Sequence, residues 1–291
     1  MSRNGSEPTL RRVGIVSKPG REDIPGLITS VVSWLGGRGI DVQYDLVTAA
    51  YLRRSAGFDR EKLPPGLDLL IVLGGDGTLL SAARGVGRSQ TPILAVNLGG
   101  LGFMMTTGPD ELLPQLERVA AGDYTTSCRS VLSTEIVRNG VSLGPRNALN
   151  DIVINKAAVA RLMLLDAYID RELVSSYRAD GMIISTPTGS TAYSLSAGGP
   201  VIYPSVSAIC LTPICPHTLT NRPLVLPDAA TIEVVIRGGD KDSYLTIDGQ
   251  VGLELQLNDR IRTRLADYCV HIVQPDRLRF FEVLRSKMKW G

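Results

Sequence analysis

A nearly continuous apolar run from Leu67 to Leu73, followed directly by the glycine-rich turn Gly74–Thr78, constrains the fold most strongly. A strand with one solvated face alternates apolar and polar residues, whereas a nearly uninterrupted apolar strand is covered on both faces. Such strands belong to parallel sheets, whose neighbouring strands are joined by crossover helices. The run therefore predicts an α/β domain with helices on both faces of a parallel sheet.

The first 125 residues follow this plan, because candidate strands and helices alternate along them. Apolar residues recur at helical spacing in three segments, and compact apolar runs separate these segments. The predicted strands are Arg12–Ser17, Ile40–Val47, Leu67–Leu73 and Pro92–Val96, and the predicted helices span Leu27–Leu35, Thr78–Arg84 and Leu112–Val119. We expect a doubly wound α/β domain over residues 1–125.

Beyond about Thr125 the apolar period changes to two. Apolar side chains alternate with polar ones over Ile232–Ile236 and again over Leu253–Leu257. Short alternating runs separated by turn residues are typical of antiparallel strands. We therefore predict an antiparallel β-rich domain over residues 126–275, with one short helix inside it. Residues 276–291 return to helical spacing, and we expect this tail to pack on the first domain.

The charge balance gives no electrostatic reason to bind nucleic acid or an anionic membrane. The chain has 31 Lys and Arg residues and 29 Asp and Glu residues, a formal charge of +2. Its first residues lack the apolar core of a signal peptide. The four cysteines, Cys128, Cys210, Cys215 and Cys269, contain no C-x-x-C pair, which argues against a zinc site or a disulfide framework. The sequence predicts a reduced, cytoplasmic protein.

A long segment from Gly181 to Asn221 contains no charged residue. Gly, Pro, Ser and Thr interrupt it throughout, so it is not a membrane span. We expect it to be buried or to line a binding site. Within it, Pro187–Pro200 is rich in hydroxyl and small residues, which suit a surface against a ribose or a phosphate, and Tyr193 could lie against a flat ring. The alternative is a packed helix with small residues at its interface.

The turn Gly74–Thr78 reads GGDGT and lies where parallel sheets bind ligands, at the carboxyl end of a strand. Glycines let backbone N–H groups approach phosphate oxygens closely. Asp76 can accept a proton from a hydroxyl or hold a metal-bound phosphate. The alternative is a tight turn without a ligand, because Asp-Gly is a common turn pair. The P-loop, the G-x-G-x-x-G fingerprint and the kinase H-R-D loop are absent from the sequence.

Three short polar pairs adjoin further predicted strands. Asn150-Asp151 precedes residues 152–155, and Asp180-Gly181 precedes residues 182–185. Each pair could be a ligand group or turn chemistry. Asp248-Gly249 is better explained as a hairpin turn. Arg161 and Arg178 are surface residues by default, although either could bind a phosphate with two hydrogen bonds.

Taken together, these motifs resemble those of the NAD kinases, most closely the bacterial branch. The resemblance rests on GGDGT, on Asn97–Phe103, on Ala148–Asp151, on the long string Asp180–Pro200 and on Pro213–Val225. Diacylglycerol, sphingosine and 6-phosphofructokinases carry similar versions of GGDGT, so the long string gives the resemblance its specificity. It extends over nearly the whole chain.

The resemblance implies that ATP phosphorylates the 2′-hydroxyl of the adenosine ribose of NAD, giving NADP. It implies an α/β domain and a β-rich domain with NAD between them, Mg²⁺ carried with ATP, and a homodimer or homotetramer. Asp76 becomes the proton acceptor. The phosphates of ATP are assigned to Gly74, Gly75, Gly77 and Thr78. The residues assigned to NAD are Asp76, Gly77, Asn150, Asp151, Arg161, Arg178, Asp180, Thr191, Ala192, Tyr193, Ser194, Leu195, Ser196 and Gln250.

Two departures from the family pattern are minor: Asp151 replaces a frequent Glu, and Met104-Met105 replaces Leu-Thr. Polyphosphate as donor, NADH as acceptor and feedback by NADP(H) stay open. A lipid kinase would share GGDGT but would lack the string Asp180–Pro200. A non-catalytic NAD(H) or NADP(H) sensor would share the pocket, but it would have no need of a base at Asp76.

Overall fold

The structure, a computed structural model, falls into two compact units. Unit 1 comprises Met1–Cys128 and Val270–Gly291, and unit 2 comprises Arg129–Cys269. The residues that the structure describes are 10–100, 102–105, 107–156, 162–218, 220–239, 243–274 and 280–290.

Unit 1 is built on a parallel sheet. Its strands are β1 (Arg12–Ser17), β2 (Asp41–Tyr44), β3 (Leu69–Gly74) and β4 (Ile93–Asn97), in the order β2-β1-β3-β4. All six residues of β3 are buried, as the apolar run predicts. The parallel α/β architecture predicted for this part of the chain is confirmed.

Helices accompany this sheet, and the longest of those described buries one apolar face. The helices of unit 1 are α1 (Ile24–Gly36), α2 (Leu46–Tyr51), α3 (Asp76–Val86), α4 (Leu112–Ala120) and α6 (Phe280–Met288). In α1 the buried side chains are Ile24, Ile28, Val31 and Leu35, which recur at helical spacing. They pack with the strand residues in one hydrophobic core.

The predicted second strand, Ile40–Val47, is wrong in its last part, because α2 begins at Leu46. The strand ends at Tyr44, and Asp45 is the N-cap of α2. Its carboxylate accepts hydrogen bonds from the backbone N–H and the hydroxyl of Thr48, at 2.8 and 2.6 Å, and so caps the helix. Arg60 compensates the buried charge, since its Nη2 donates to Asp45 at 2.6 Å. The capping role of Asp45 depends on a residue distant in sequence.

Unit 2 consists of antiparallel strands in two sheets, as predicted for this half of the chain. One sheet has six strands, in the order β12-β11-β10-β7-β14-β15, and the other brings together β5, β6, β8, β9, β13 and most of β16. The strands are β5 (Thr126–Arg138), β6 (Val141–Ala148), β7 (Asp151–Lys156), β8 (Met163–Ile169), β9 (Glu172–Ala179), β10 (Gly181–Ser185), β11 (Ala208–Ile214), β12 (Leu224–Pro227), β13 (Ile232–Gly238), β14 (Ser243–Ile247), β15 (Val251–Leu255) and β16 (Arg260–Val273).

The two sheets of unit 2 share one hydrophobic core. Ile152 and Ile184 of the first sheet pack in the same cluster as Leu165 and Val234 of the second. The short helix predicted within the uncharged segment is α5 (Tyr193–Ser196), preceded by a 3₁₀ turn at Gly189–Thr191. The described residues include no helix that is long and apolar enough to cross a membrane.

The cysteines differ from the expectation of a reduced protein. Cys128 and Cys269 are disulfide-bonded, whereas Cys210 and Cys215 are free. The positions of Cys128 and Cys269 in the sequence carry no sign of a disulfide, and the expectation that all four cysteines are reduced is wrong for these two.

Truncation of a core leucine in β3 is expected to destabilise the protein strongly. Leu69→Ala removes apolar contacts from a fully buried position and should lower the free energy of unfolding by about 2–5 kcal/mol. Leu46→Ala makes the same chemical change at a position that is 60% exposed, and it should cost less than about 0.5 kcal/mol. Urea denaturation of both variants tests this, and equal losses would contradict the burial of β3.

Candidate active site

The turn after β3 places Asp76 at the start of α3. Gly75 is extended, with φ −133° and ψ −176°, and forms the N-cap. The backbone N–H groups of Thr78 and Leu79 donate to the Gly75 carbonyl at 2.9 and 3.1 Å, which begins the helix. Asp76 is thus the first helical residue, where the partial positive charge of the helix N-terminus favours an anion.

The Asp76 carboxylate is held by the loop that follows β4. The backbone N–H groups of Phe103 and Met104 donate to it. Its Oδ1 is buried and has no hydrogen-bond partner. A Cβ at Gly102 would lie 2.7 Å from Oδ1, which explains a glycine at that position. The arrangement leaves one carboxylate oxygen able to accept a proton.

Burial is the largest influence on Asp76 and raises the pKa of its carboxyl group. The positive charge of Lys287 and the two N–H donors lower that pKa, but the net shift is upward. Lys287 lies on α6, which reaches the same loop through Phe280, whose ring centroid is 6.2 Å from that of Phe103. The sequence predicted only that the tail packs on this domain and missed its electrostatic effect on Asp76.

The structural constraints that favour glycine differ between the positions of this turn. A Cβ at Gly74 would lie 2.4 Å from Thr78 Oγ1, so Gly74 and the buried Thr78 require each other for packing. A Cβ at Gly75 would have nothing within 4 Å, and its φ suits any residue. Gly77 is exposed. Packing within unit 1 therefore explains Gly74 but leaves Gly75 without a structural reason.

In unit 2, Asn150 and Asp151 are positioned by a third buried residue, Asp248. The Asp248 carboxylate accepts the backbone N–H groups of Leu149, Asn150 and Asp151 at 3.1, 2.8 and 3.3 Å. Asp248 lies between β14 and β15 with φ +49°, so the predicted hairpin turn is present. The sequence did not indicate that its side chain would organise the start of β7.

The connection from β10 to the 3₁₀ turn packs against the same place. The Thr186 backbone N–H donates to the Asn150 carbonyl at 2.9 Å, and the Thr186 hydroxyl donates to the Leu149 carbonyl at 2.6 Å. A Cβ at Gly189 would lie 2.0 Å from the Asn150 carbonyl oxygen. Three segments distant in sequence therefore meet at Asn150-Asp151.

Two carboxyl groups share this buried place. Burial is the largest cause of a rise in the pKa of Asp151 to about 7, and the negative charge of Asp248 adds to it. The backbone N–H of Tyr193 donates to Asp151 and lowers the pKa in part. Three N–H donors favour the ionised form of Asp248, so Asp151 is the group that holds the proton.

Several polar atoms around Asn150-Asp151 are buried without a hydrogen-bond partner. They are Asn150 Oδ1, Ser185 Oγ and Thr188 Oγ1. Such atoms are uncommon in folded proteins, and each costs about 1–3 kcal/mol when it is left unsatisfied. Their concentration around one point marks a candidate site for a ligand rich in hydrogen-bonding groups.

The other residues predicted to surround NAD lie in and around α5 and the β14–β15 turn. Tyr193 is 44% exposed, so its ring is accessible. Ser194 is buried and its hydroxyl bonds to that of Thr212 at 2.9 Å, which gives it a structural role. Gln250 is exposed and follows Asp248 by two residues. Thr191, Ala192 and Leu195 are half-buried, and Ser196 is exposed.

Arg178 and Asp180 do not lie beside Asn150 and Asp151. Ser185 pairs with Asp151 at one end of β10, whereas Gly181 pairs with Asn155 at the other end. Four residues of a strand span about 13 Å. Asp180 forms an ion pair with Lys156 at 2.6 Å, and Arg178 is exposed. Arg161 lies outside the described residues.

Both halves of the chain match models of one family. Residues 13–124 match the ATP-NAD kinase N-terminal domain, and residues 149–274 match the ATP-NAD kinase C-terminal domain. The chain belongs to the NAD kinase family. It is therefore an enzyme, a phosphotransferase that makes NADP from NAD with ATP, and the resemblance seen in the motifs is confirmed.

Curated relatives and solved structures agree with this membership. The chain is 48% identical to the NAD kinase of Solibacter usitatus and 44% identical to that of Geobacter sulfurreducens, covering 98% and 97% of this chain and 99% of each relative. The crystal structure of yeast NADH kinase complexed with NADH is similar, with TM-score 0.89, 28% identity and coverage of 98% of this chain and 89% of that one. An NAD kinase from Archaeoglobus fulgidus in complex with ATP has the same fold, with TM-score 0.73, 23% identity and coverage of 96% and 98%.

Substitution of Gly189 tests the close packing beside Asn150. Gly189→Ala forces the Asn150 backbone to move, because the new Cβ would overlap its carbonyl group. We expect NAD affinity to fall about tenfold or more, since small displacements of binding groups are costly. Gly252→Ala adds the same methyl group where nothing lies within 4 Å and should leave affinity unchanged. Calorimetric titration with NAD compares them, and equal affinities would remove Gly189 from the site.

The raised pKa of Asp151 predicts a pH dependence of stability. A carboxyl group whose pKa is higher in the folded state than in the unfolded state stabilises the protein at low pH, and this contribution is lost as the pH rises through the folded value. Because the folded pKa is about 7, Asp151→Asn should gain about 1–3 kcal/mol relative to the wild type between pH 5 and 8.

Denaturation at several pH values measures this gain. Asp228→Asn serves as the control, because Asp228 is an exposed aspartate of the same unit. A constant difference between wild type and Asp151→Asn across this pH range would contradict the raised pKa.

Proposed function

We propose that Asp76 is the proton acceptor when the γ-phosphoryl group of ATP is transferred to the 2′-hydroxyl of the adenosine ribose of NAD. The observation that carries this proposal is the state of the Asp76 carboxylate. The backbone N–H groups of Phe103 and Met104 lower the pKa of the carboxyl group, its Oδ1 is buried without a partner, and burial raises the pKa overall. A base with a raised pKa and one free oxygen suits the removal of a hydroxyl proton.

The reaction does not require a strong base at Asp76 in its early stage. Phosphoryl transfer passes through a loose transition state in most analyses, so positioning and charge neutralisation contribute most of the rate. Asp76 would orient the ribose hydroxyl through Oδ1 and accept its proton as the new P–O bond forms. Lys287 contributes positive charge near this point, where negative charge is transferred.

The backbone of the GGDGT turn supports the assignment of ATP phosphates to this end of β3. A Cβ at Gly75 meets no protein atom, so the glycine suits a close approach by phosphate oxygens. Gly77 lies in the first turn of α3, where N–H groups and the helix dipole attract anions. Gly74 and Thr78 would act indirectly, by holding the shape of the turn.

We propose that Mg²⁺ accompanies ATP. The described residues contain no group of three or more His, Cys, Asp or Glu side chains that could hold a metal. Magnesium is commonly bound through one or two carboxylates together with substrate phosphates, and Asp76 is the only carboxylate of the GGDGT turn. When bound, the metal would neutralise part of the negative charge of the phosphates.

For NAD, we propose the cluster at Asn150-Asp151. Asn150 Oδ1 is a buried acceptor without a partner, and ribose hydroxyl and adenine amino groups are donors. Tyr193 offers an accessible ring against which a flat base can stack. The roles of Arg161, Arg178, Asp180, Gln250 and the residues 191–196 stay predictions of the family resemblance, as do a homodimer or homotetramer and a cytoplasmic location.

Asp76→Asn tests the proposed base. The amide has nearly the same size and still accepts the hydrogen bonds from the loop, so the turn should fold. It cannot take the proton, and kcat should fall by about 10²–10⁴. NAD affinity should change much less. Formation of NADP in a coupled assay and calorimetric NAD titration on the same preparation separate these effects.

Asp110→Asn is the matched control, because Asp110 is an exposed aspartate of the same unit. Its kcat should equal that of the wild type. If Asp76→Asn also keeps turnover within a few-fold, Asp76 is only a turn residue. If NAD binding is lost together with turnover, Asp76 holds the ligand and its role as base is not supported.

A further inference from the structure

Arg129, near the start of β5 in unit 2, has an unusual environment for a charged residue. It exposes 9% of its surface. Two of its nitrogens, Nε and Nη1, are buried and have no hydrogen-bond partner. Arginine keeps its charge even when burial lowers its pKa, as it does here. An uncompensated guanidinium therefore lies inside the protein.

Another arginine of the same strand, Arg138, shows how a guanidinium charge is neutralised by a buried carboxylate. Arg138 donates from Nε and Nη2 to the two carboxylate oxygens of Asp259, at 3.0 and 2.8 Å. Asp259 is buried, so this pair is the usual solution for a charge inside a protein. No carboxylate of the described residues pairs with Arg129 in this way, although Arg129 is more buried than Arg138.

Among the residues that the structure describes, no carboxylate acts electrostatically on Arg129. The side chain that acts on it electrostatically is the phenol of Tyr203. Tyr203 follows Ile202, whose backbone N–H and carbonyl both bond to Ser190 Oγ, at 2.9 and 3.3 Å. This segment is part of the stretch Gly181–Asn221, which has no Asp or Glu. It cannot supply the missing negative charge.

We propose that Arg129 is a binding residue for a phosphate group of a substrate, with Tyr203 as a neighbouring polar group. The inference rests on the proposed function, because both substrates of that reaction carry chains of phosphate groups. A guanidinium with free Nε and Nη donors matches two phosphate oxygens. The segment that carries Tyr203 is tied through Ser190 to the Thr186–Gly189 connection, which contacts Asn150. The segment that carries Tyr203, the electrostatic neighbour of Arg129, is thus connected by hydrogen bonds to the residues that contact Asn150.

The first test uses thermal unfolding with inorganic tripolyphosphate and with pyrophosphate as probes. Phosphate should raise the Tm of the wild type. Arg129→Met removes a buried charge that has no partner, so its Tm without phosphate should equal or exceed that of the wild type, and its phosphate response should be lost. Arg138→Met should show the reverse, a lower Tm with an intact phosphate response, because it leaves Asp259 buried and unpaired.

The second test uses kinetics and identifies the source of the phosphate. Loss of a hydrogen-bonded charge should raise one KM by about 10–100-fold. A rise in the KM for ATP assigns Arg129 to the triphosphate, and a rise in the KM for NAD assigns it to the pyrophosphate of the dinucleotide. Arg129→Lys keeps the charge without the paired donors and should recover part of the affinity.

A lower Tm of Arg129→Met without phosphate, together with unchanged KM values and phosphate response, would overturn the inference and give Arg129 a structural role. Should that variant not fold, Arg129→Lys decides: a wild-type phosphate response and wild-type KM values overturn the inference, and a weaker response with a raised KM supports it. The proposed function fails separately, if the wild type forms no NADP. A phosphate response that depends on Arg129 would still support binding in that case.

Discussion

The hydrogen bonds from three successive backbone N–H groups to the Asp248 carboxylate are the constraint on which the site in unit 2 depends. They fix Leu149, Asn150 and Asp151 at the start of β7. Burial is the main reason that Asp151 retains a proton near neutral pH, and the negative charge of Asp248 adds to it. A single buried side chain therefore sets the geometry of the cluster and contributes to its protonation state.

Asp76 shows the same principle in unit 1, with backbone donors holding a carboxylate in place. Here the donors come from Phe103 and Met104, and Gly102 allows the loop to approach. The loop is in turn packed against Phe280 of α6. Both carboxylates of interest have raised pKa values because burial outweighs the favourable contacts. Each acid thus depends on backbone groups from elsewhere in its unit, Phe103 and Met104 for Asp76 and Tyr193 for Asp151.

The parts of the structure that follow local rules could be predicted from the sequence. The continuous apolar run of β3 and the alternation in β13 indicated their sheets, because periodicity reflects burial directly. The candidate residues Asp76 and Asn150-Asp151 came from their places next to predicted strands and from the family resemblance. The helix at Leu46 was missed because its capping residue, Asp45, needs the distant Arg60. The roles of Asp248 and Lys287 were missed for the same reason, since each acts across a long sequence separation.

The two-part composition of unit 1 has a consequence for protein synthesis. Residues after Cys269 complete a unit that begins before Cys128, so the whole of unit 2 emerges from the ribosome in between. During that interval Asp76 lacks the contacts that α6 provides through Phe280 and Lys287. A chain whose translation stops inside unit 2 would contain the GGDGT turn but would lack the positive charge of Lys287 near Asp76. Asp76 therefore reaches its final environment late, although it is among the first third of the residues to be made.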